Sequence, residues 1–331
     1  MTQDLMSMYL KWYELSVHAL NAYRVEGEIS RELIEGLVLS GMGGSGIVGD
    51  VIYSLLYDKV DIPIITIKDY SLPKWVKKRW FVIAISYSGN TLETIHAMTE
   101  SLRRGAKLAV ITSDGKLLEY AKIYKIPFIK VDEGYVPRAA FPLLLIATLK
   151  ILEELNIYKA SKFYESLGVL NDNKIMNVAD EISNFVGNSI PIFITNSKYY
   201  PLGLRCKDEF NENAKLISKV EVIPEWGHND IVGWESRYGN VKAIVLNDGS
   251  EILNYVWKHL RDYGHEVKNI EINISDDYLT NIIYWSKVFG ISSIKLALSK
   301  GINPKETKSI SKYKEFLKHS KLARINFREK M

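Results

Sequence analysis

The chain of 331 residues has a single cysteine, Cys206, which rules out an intrachain disulfide and a cysteine-based zinc site. No stretch approaches the ~20 apolar residues of a membrane span. The longest candidate, Ala139–Leu149, has the length of a buried helix. The first twenty residues carry Asp4, Lys11 and Glu14, so they lack the unbroken apolar core of a signal peptide. Charge of one sign is also scarce: 43 Lys and Arg against 39 Asp and Glu leave a net +4. That excess favours small anions mildly but is too small for a nucleic-acid-binding surface. A cytoplasmic, reducing location, with neither membrane nor nucleic acid as a partner, is the simplest reading. One glutamine, Gln3, among many charges would suit a hot habitat, but abundant Asn with Ile, Lys and Tyr also marks AT-rich coding. Composition therefore leaves thermostability open.

What is present is an ordinary globular mixture, 47% apolar and 25% charged, able to bury a substantial core. At ~100–200 residues per domain the length suggests two domains. In the first half, apolar β-type runs alternate with helical patterns, which predicts a parallel sheet flanked by helices. The strand candidates are 37–40, 62–67, 81–85, 107–112 and 128–131; the helix candidates are 91–104, 116–124 and 137–155, the last with Pro142 near its first turn. The second half repeats the grammar, with strands at 190–195, 220–223, 241–246 and 268–274 and helices at 251–263, 277–297 and 307–317. The strand pattern pauses between Asn156 and Leu170, so the reading is two α/β domains, 1–156 and 157–331.

Two loops carry the first functional signal. Gly41-Met42-Gly43-Gly44-Ser45-Gly46 follows a strand and precedes a helix, where glycines allow close backbone approach and helix-start N–H groups face an anion. A dinucleotide site is the competitor. Its fingerprint also needs an acidic residue ~20 positions on, for which only Asp61 and Asp69 are loose candidates. The second loop, Ser86-Tyr87-Ser88-Gly89-Asn90-Thr91, gathers three hydroxyls around a glycine at a strand-to-helix turn. Hydroxyls plus helix-start amides can bind a phosphate monoester without a cation. Capping of the following helix would explain Thr91 but not Ser86 or Ser88.

The pair of loops resembles the sugar isomerase (SIS) domain, in which the Ser/Thr-rich loop holds the phosphate of a phosphosugar. Three further segments bear on chemistry: Val136-Pro137-Arg138-Ala139-Ala140-Phe141-Pro142, Asn211-Glu212-Asn213-Ala214-Lys215, and Pro224-Glu225-Trp226-Gly227-His228-Asn229-Asp230. An aldose–ketose isomerase needs a base to move a proton between C1 and C2, a cation for the enediolate, and an acid/base to open the ring. Carboxylate, guanidinium and imidazole suit those tasks in that order.

Together these segments resemble the archaeal and bacterial bifunctional phosphoglucose/phosphomannose isomerases of the phosphoglucose isomerase superfamily, over nearly the whole chain. The resemblance implies two SIS-type α/β domains and a cofactor-free enzyme that converts glucose 6-phosphate and mannose 6-phosphate to fructose 6-phosphate through a cis-enediol. It implies that Glu212 is the base, that His228 assists ring opening across a homodimer interface, and that Arg138 stabilises the enediolate. Gly43, Gly44, Ser45, Ser86, Ser88 and Thr91 would line the substrate and phosphate site. The family's C-terminal threonine and lysine map to Thr307 and Lys314, seven residues apart and so on one helix face. Its usual Asp-Pro is Asn303-Pro304 here, and Lys318 competes with Lys314.

Three rivals stand beside this reading. A metal-dependent isomerase needs converging ligands, but His18, His96, His228, His259, His265 and His319 are scattered without an H-x-H or H-E-x-x-H pair. His228 with Asp230 or Glu225 would be the candidate site, and the expectation is no metal. A non-catalytic sugar-phosphate-binding protein would keep the 86–91 loop without needing Glu212 and His228 together. An aminosugar-phosphate isomerase or ketol-transfer domain would come with an ammonia-producing partner domain, for which 331 residues leave no room.

Overall fold

A computed structural model describes residues 4–30 and 33–323. Among these residues nine strands form two wholly parallel sheets. The first contains β1 (Gly36–Ser40), β2 (Ile64–Ile67), β3 (Trp80–Ile85), β4 (Lys107–Thr112) and β5 (Phe128–Lys130), in the order β2-β1-β3-β4-β5. The second contains β6 (Ile190–Asn196), β7 (Lys219–Ile223), β8 (Val241–Asn247) and β9 (Val267–Glu271), in the order β7-β6-β8-β9. The α/β class with helix-flanked parallel sheets is therefore as the alternating pattern predicts. β1 is buried at all five positions, Gly36–Ser40, because a parallel sheet flanked by crossover helices shields both faces.

All nine strand candidates exist, most with an edge moved by one to three residues. The second begins at Ile64, after Pro63, which has no N–H for the ladder. The helix expected over 137–155 starts only at Phe141, with Pro142 in its first turn. Pro137, Arg138 and Ala139 instead form a turn closed by Ala139 and Ala140 N–H groups on the Val136 carbonyl. That helix, Phe141–Glu154, takes up the apolar run from Phe141 onward and is buried throughout its first nine residues, which explains its lack of polar punctuation.

The chain divides into two compact units, and the division is not the simple cut at 156/157 that the sequence suggests. The amino-terminal unit comprises Glu14–Tyr164 with Thr307–Met331; the carboxy-terminal unit comprises Met1–Tyr13 with Glu165–Glu306. The two chain ends are exchanged. In the carboxy-terminal unit the helix Leu5–Leu10 buries Leu5, Met8 and Tyr9. The long helix Tyr278–Ser299 packs on Lys174–Val186 and Tyr200–Glu212, and is so deeply buried that Lys287 is satisfied by the Leu10 and Leu170 carbonyls, at 3.1 and 2.7 Å. Hydropathy alone does not assign a terminal helix to a unit 150 residues away.

No helix among the described residues is long and apolar enough to cross a membrane.

Candidate functional site

In the amino-terminal unit, β2 and β3 lie on opposite sides of β1, so the sheet reverses its winding between β1 and β3. Ligands of open parallel sheets bind at the carboxyl ends of the strands flanking such a reversal. The Gly41–Gly46 loop leaves β1 there and the Ser86–Thr91 loop leaves β3. The two are joined by a hydrogen bond from Tyr87 N–H to Ser45 Oγ at 3.2 Å.

Each loop is shaped by a glycine. At Gly89 (φ +63°) a Cβ would stand 1.7 Å from the Asp114 carbonyl oxygen, so only glycine allows the turn. At Gly44 a Cβ would meet the Arg138 Cα and the Pro137 carbonyl at 3.3 Å, and this close approach brings the Arg138 turn against the glycine loop. Arg138 itself is buried.

Thr91 stands at the N-cap of the helix Leu92–Arg103, yet its side chain makes no capping bond. Its hydroxyl instead pairs with Ser86 Oγ at 2.8 Å. The capping explanation of Thr91 is thus corrected. The helix start keeps its amide donors free of a side-chain cap, beside a hydroxyl pair that can turn toward an anion. Tyr87 holds the loop from behind: its hydroxyl donates to the Asp132 carbonyl at 3.0 Å and accepts from Tyr135 N–H at 2.9 Å. Burial pushes its phenol up to about 12, so it remains a donor at neutral pH.

Thr307 and Lys314 belong to the same unit. Thr307 is the N-cap of the helix Lys308–His319, whose following turn is tied to the Leu92–Arg103 helix by His96 Nε2 against the Leu322 carbonyl at 2.8 Å. Lys318 is engaged with Glu315 at 2.7 Å. Lys314 is exposed and, among the described residues, makes no side-chain hydrogen bond or ion pair.

The winding reversal of the second sheet, between β6 and β8, is built differently. There Asp248 accepts from Asn196 Nδ2 at 2.6 Å and from Ser250 N–H at 3.1 Å. A carboxylate in that position opposes a phosphate, so the anion-binding design is not repeated.

Glu212 is the last residue of the helix Tyr200–Glu212, and the rest of the Asn-Glu-Asn-Ala-Lys motif fixes that helix end. Asn211 Oδ1 accepts from Ser218 N–H at 3.1 Å. Asn213, fully buried, donates to Glu209 Oε2 at 2.7 Å and to Ser293 Oγ at 2.9 Å. Lys215, in the left-handed region at φ +55°, turns its ammonium back onto the Glu212 carbonyl at 2.6 Å and reaches the Asn303 carbonyl at 3.2 Å. A cation on the last carbonyls also complements the helix dipole. Beneath this end lies a buried group that the sequence analysis does not single out. Glu209 pairs with Arg205 and accepts from the Tyr9 hydroxyl at 2.6 Å. Burial opposes the Arg205 charge, but Glu209, Tyr9 and Glu212 hold its pKa above the ordinary value. The signal was available: Leu202, Arg205, Cys206, Glu209, Phe210 and Asn213 share one buried face at helical spacing. Cys206 is fully buried, and burial pushes its thiol well above the ordinary value.

His228 ends the short turn Glu225–His228 after β7 and is exposed, whereas Trp226 beside it is buried. Among the described residues its ring has no hydrogen-bond or ion-pair partner. Glu212 and His228 are not neighbours along the fold. The 13-residue helix returns from the carboxyl end of β6 to the amino end of β7, a run of ~20 Å, so Glu212 lies at one end of the sheet and His228 at the other. Among the described residues no group of three or more His, Cys, Asp or Glu is placed to hold a metal ion.

Comparison with known proteins extends this picture. Residues 174–317 match the bacterial phospho-glucose isomerase C-terminal SIS domain. A bifunctional phosphoglucose/phosphomannose isomerase of Aeropyrum pernix is 33% identical, covering 94% of this chain and 97% of its own. A D-glucosamine-6-phosphate 4-epimerase of Sulfolobus acidocaldarius is 29% identical over 93% of this chain and 96% of its own. Among solved structures, the C-terminal domain of glucosamine-fructose-6-phosphate aminotransferase from Francisella tularensis superposes with a TM-score of 0.71, covering 91% of this chain and 98% of that domain at 15% identity, a likeness of fold. With extensive identity over nearly the full length of both chains, this protein belongs to the bifunctional phosphoglucose/phosphomannose isomerase family.

Proposed function

We propose that this chain is an intramolecular oxidoreductase that interconverts glucose 6-phosphate and mannose 6-phosphate with fructose 6-phosphate, without metal or cofactor. The observation that carries the proposal is the Leu92–Arg103 helix start, left without a side-chain cap while Thr91 pairs with Ser86. Gly43, Gly44, Ser45, Ser86, Ser88 and Thr91 bind the substrate and its phosphate, and Thr307 contributes to substrate binding. Lys314 is favoured over Lys318 as the assisting cation, because Lys318 is already paired with Glu315.

The reaction needs three proton movements, one in ring opening, one from C2 to C1 and one from O2 to O1. In ring opening the C1–O5 bond breaks as the C1 hydroxyl loses its proton and O5 gains one; His228 relays that proton. Glu212 then takes the C2 proton from the open-chain aldose, the enediolate is stabilised by Arg138, the O2 hydroxyl proton passes to O1, and Glu212 returns its proton to C1 as the C2 carbonyl forms. Reaching both C2 epimers requires rotation about C2–C3 in the enediol. The chain acts as a homodimer in which His228 of each subunit serves the partner's site, a reading favoured by its exposure and by its place at the sheet end opposite Glu212. A cytoplasmic setting belongs to the same reading.

The test is fructose 6-phosphate formation from each aldose separately, with EDTA present. Turnover of both is expected; loss of turnover restored by a divalent metal would overturn the metal-free reading. The epimerase relative favours one second reading, action on an aminosugar phosphate, so glucosamine 6-phosphate belongs in the same assay. Its conversion in place of the two aldoses would replace the first reading.

A further inference from the structure

We infer that Glu221 is the positioning residue for His228, clamping both ends of the segment that carries it through a single carboxylate oxygen. Glu221 lies on β7, and its Oε2 accepts the indole N–H of Trp226 and that of Trp234, each at 2.8 Å. Trp226 and Trp234 are 2% and 5% exposed and flank residues 227–233, of which none is buried. The inference rests on the proposed role of His228, which stands two residues from the first of these anchors.

The arrangement does what a ring-opening group needs. An imidazole on an exposed segment is useful only if the segment holds one geometry, and an error of ~1 Å at a reacting group can cost ~10²-fold in rate. Residues 227–233 have little of their own to supply that rigidity. The local side-chain bonds are Asn229 to Glu225 at 2.5 Å and Asp230 N–H to Asn229 Oδ1 at 2.6 Å, beside single backbone turns such as Gly227 N–H to the Pro224 carbonyl and Val232 N–H to the Asn229 carbonyl. Below them the two indoles enter the apolar core of the second sheet, and the half-buried Glu221 is the acceptor they share. Two donors on one oxygen fix the separation of the anchors as well as their depth. The second anchor is braced again, since His265 donates from Nε2 to the Trp234 carbonyl at 2.6 Å with its ring edge-on to the indole at 4.9 Å. The first packs against His259, ring centroids 6.0 Å apart. The charge that acts on the carboxylate is Asp230 on the segment, which is itself near Glu225, while the His259 and His265 rings lie against the indoles.

The experiment compares Glu221→Met, Glu221→Gln and His228→Ala, alone and with the methionine change combined with His228→Ala, in steady-state isomerisation of glucose 6-phosphate. Methionine keeps the length of the side chain and removes the acceptor; glutamine keeps one oxygen able to accept both indoles. Glu221→Met should lower kcat by about 10–100-fold with KM within about twofold, and Glu221→Gln should recover most of the loss. In the His228→Ala background the methionine change should add nothing, because a residue acting through another shows no effect once that other is gone. If His228→Ala is inactive while Glu221→Met turns over like wild type, the inference is overturned and the role of His228 stands. Multiplying effects in the double variant also overturn it, since they mark a general structural role. Wild-type turnover by His228→Ala overturns both readings. Should Glu221→Met not fold, Trp234→Phe, which removes one indole donor and keeps an apolar ring, takes its place with the same expectations.

Discussion

Ser86 Oγ and Thr91 Oγ1 lie 2.8 Å apart across the turn that follows β3, although Thr91 occupies the residue position from which it would cap the next helix. A capping threonine removed to alanine costs about 1 kcal/mol. Thr91 makes no capping bond, so Thr91→Ala should cost well under that in thermal or urea unfolding. Its effect belongs to binding: KM for the sugar phosphate should rise about tenfold, the worth of one hydrogen bond to a charged group. Ser88→Ala should act in the same direction. A stability loss of cap size with unchanged KM would return Thr91 to a structural role.

Glu212 is expected to be irreplaceable by its amide. Lys215 bonds its backbone carbonyl and Asn213 the neighbouring core, so Glu212→Gln should keep the helix end and phosphosugar binding. Turnover should fall by about 10³-fold or more. The separation of Glu212 from His228 along the fold adds a sharper test. Glu212→Gln and His228→Ala subunits, each with only residual activity alone, should regain activity when unfolded and refolded together. One site in each hybrid dimer then holds a wild-type glutamate and a wild-type histidine, and random pairing gives about a quarter of wild-type activity. No recovery, with hybrids shown to form, would place both residues in one subunit's site.

Some of this architecture was legible in the sequence and some was not, for physical reasons. The strands were readable because a parallel sheet buried on both faces leaves unbroken apolar runs such as Leu37–Leu39 and Phe81–Ile85. The two loops were readable because glycine at φ +63° and clustered hydroxyls have few other uses. Domain assignment of the chain ends was not, since Leu5, Met8 and Tyr9 fit any apolar surface and only the fold selects one. Glu212 is proposed from its motif alone, whereas the tasks of Asn211, Asn213 and Lys215 depend on Ser218, Glu209, Ser293 and Asn303, which sequence spacing does not bring near. Glu221 was missed because one carboxylate on the strand Lys219–Ile223 gives no hint of the two tryptophans it receives.

The Arg205–Glu209 pair should dominate the stability of the carboxy-terminal unit. Both groups are about 1% exposed, and Tyr9 and Asn213 complete the hydrogen bonding of the carboxylate. Removing one member of a buried pair strands the other, so Glu209→Gln should cost about 3–5 kcal/mol in urea unfolding. Tyr9→Phe, which deletes a single donor, should cost about 1.5–3 kcal/mol. Replacing Arg205 and Glu209 together by methionine should recover much of the loss. A Glu209→Gln protein as stable as wild type would show that the pair contributes nothing.

Glu221 gives stability a pH dependence whose sign follows from its burial. Desolvation lifts its carboxyl from the ordinary 4.5 to about 7; the Trp234 indole pulls against this, the Asp230 charge adds to it and the Trp226 indole opposes it. A folded-state pKa above the unfolded one means that the native protein binds the proton more tightly. The stabilisation is fully present below about 4.5 and is lost as pH rises through about 7. For a shift of this size, on a side chain that keeps some contact with water, the loss is on the order of 1–3 kcal/mol. Glu221→Gln does not titrate and retains an acceptor for the indoles, so it should match wild type most closely in acid. Its advantage should grow between pH 4.5 and 8, read as the difference in urea midpoint between the two proteins at each pH. A difference that stays flat over that range, or shrinks as pH rises, would show that the Glu221 carboxyl carries no such linkage.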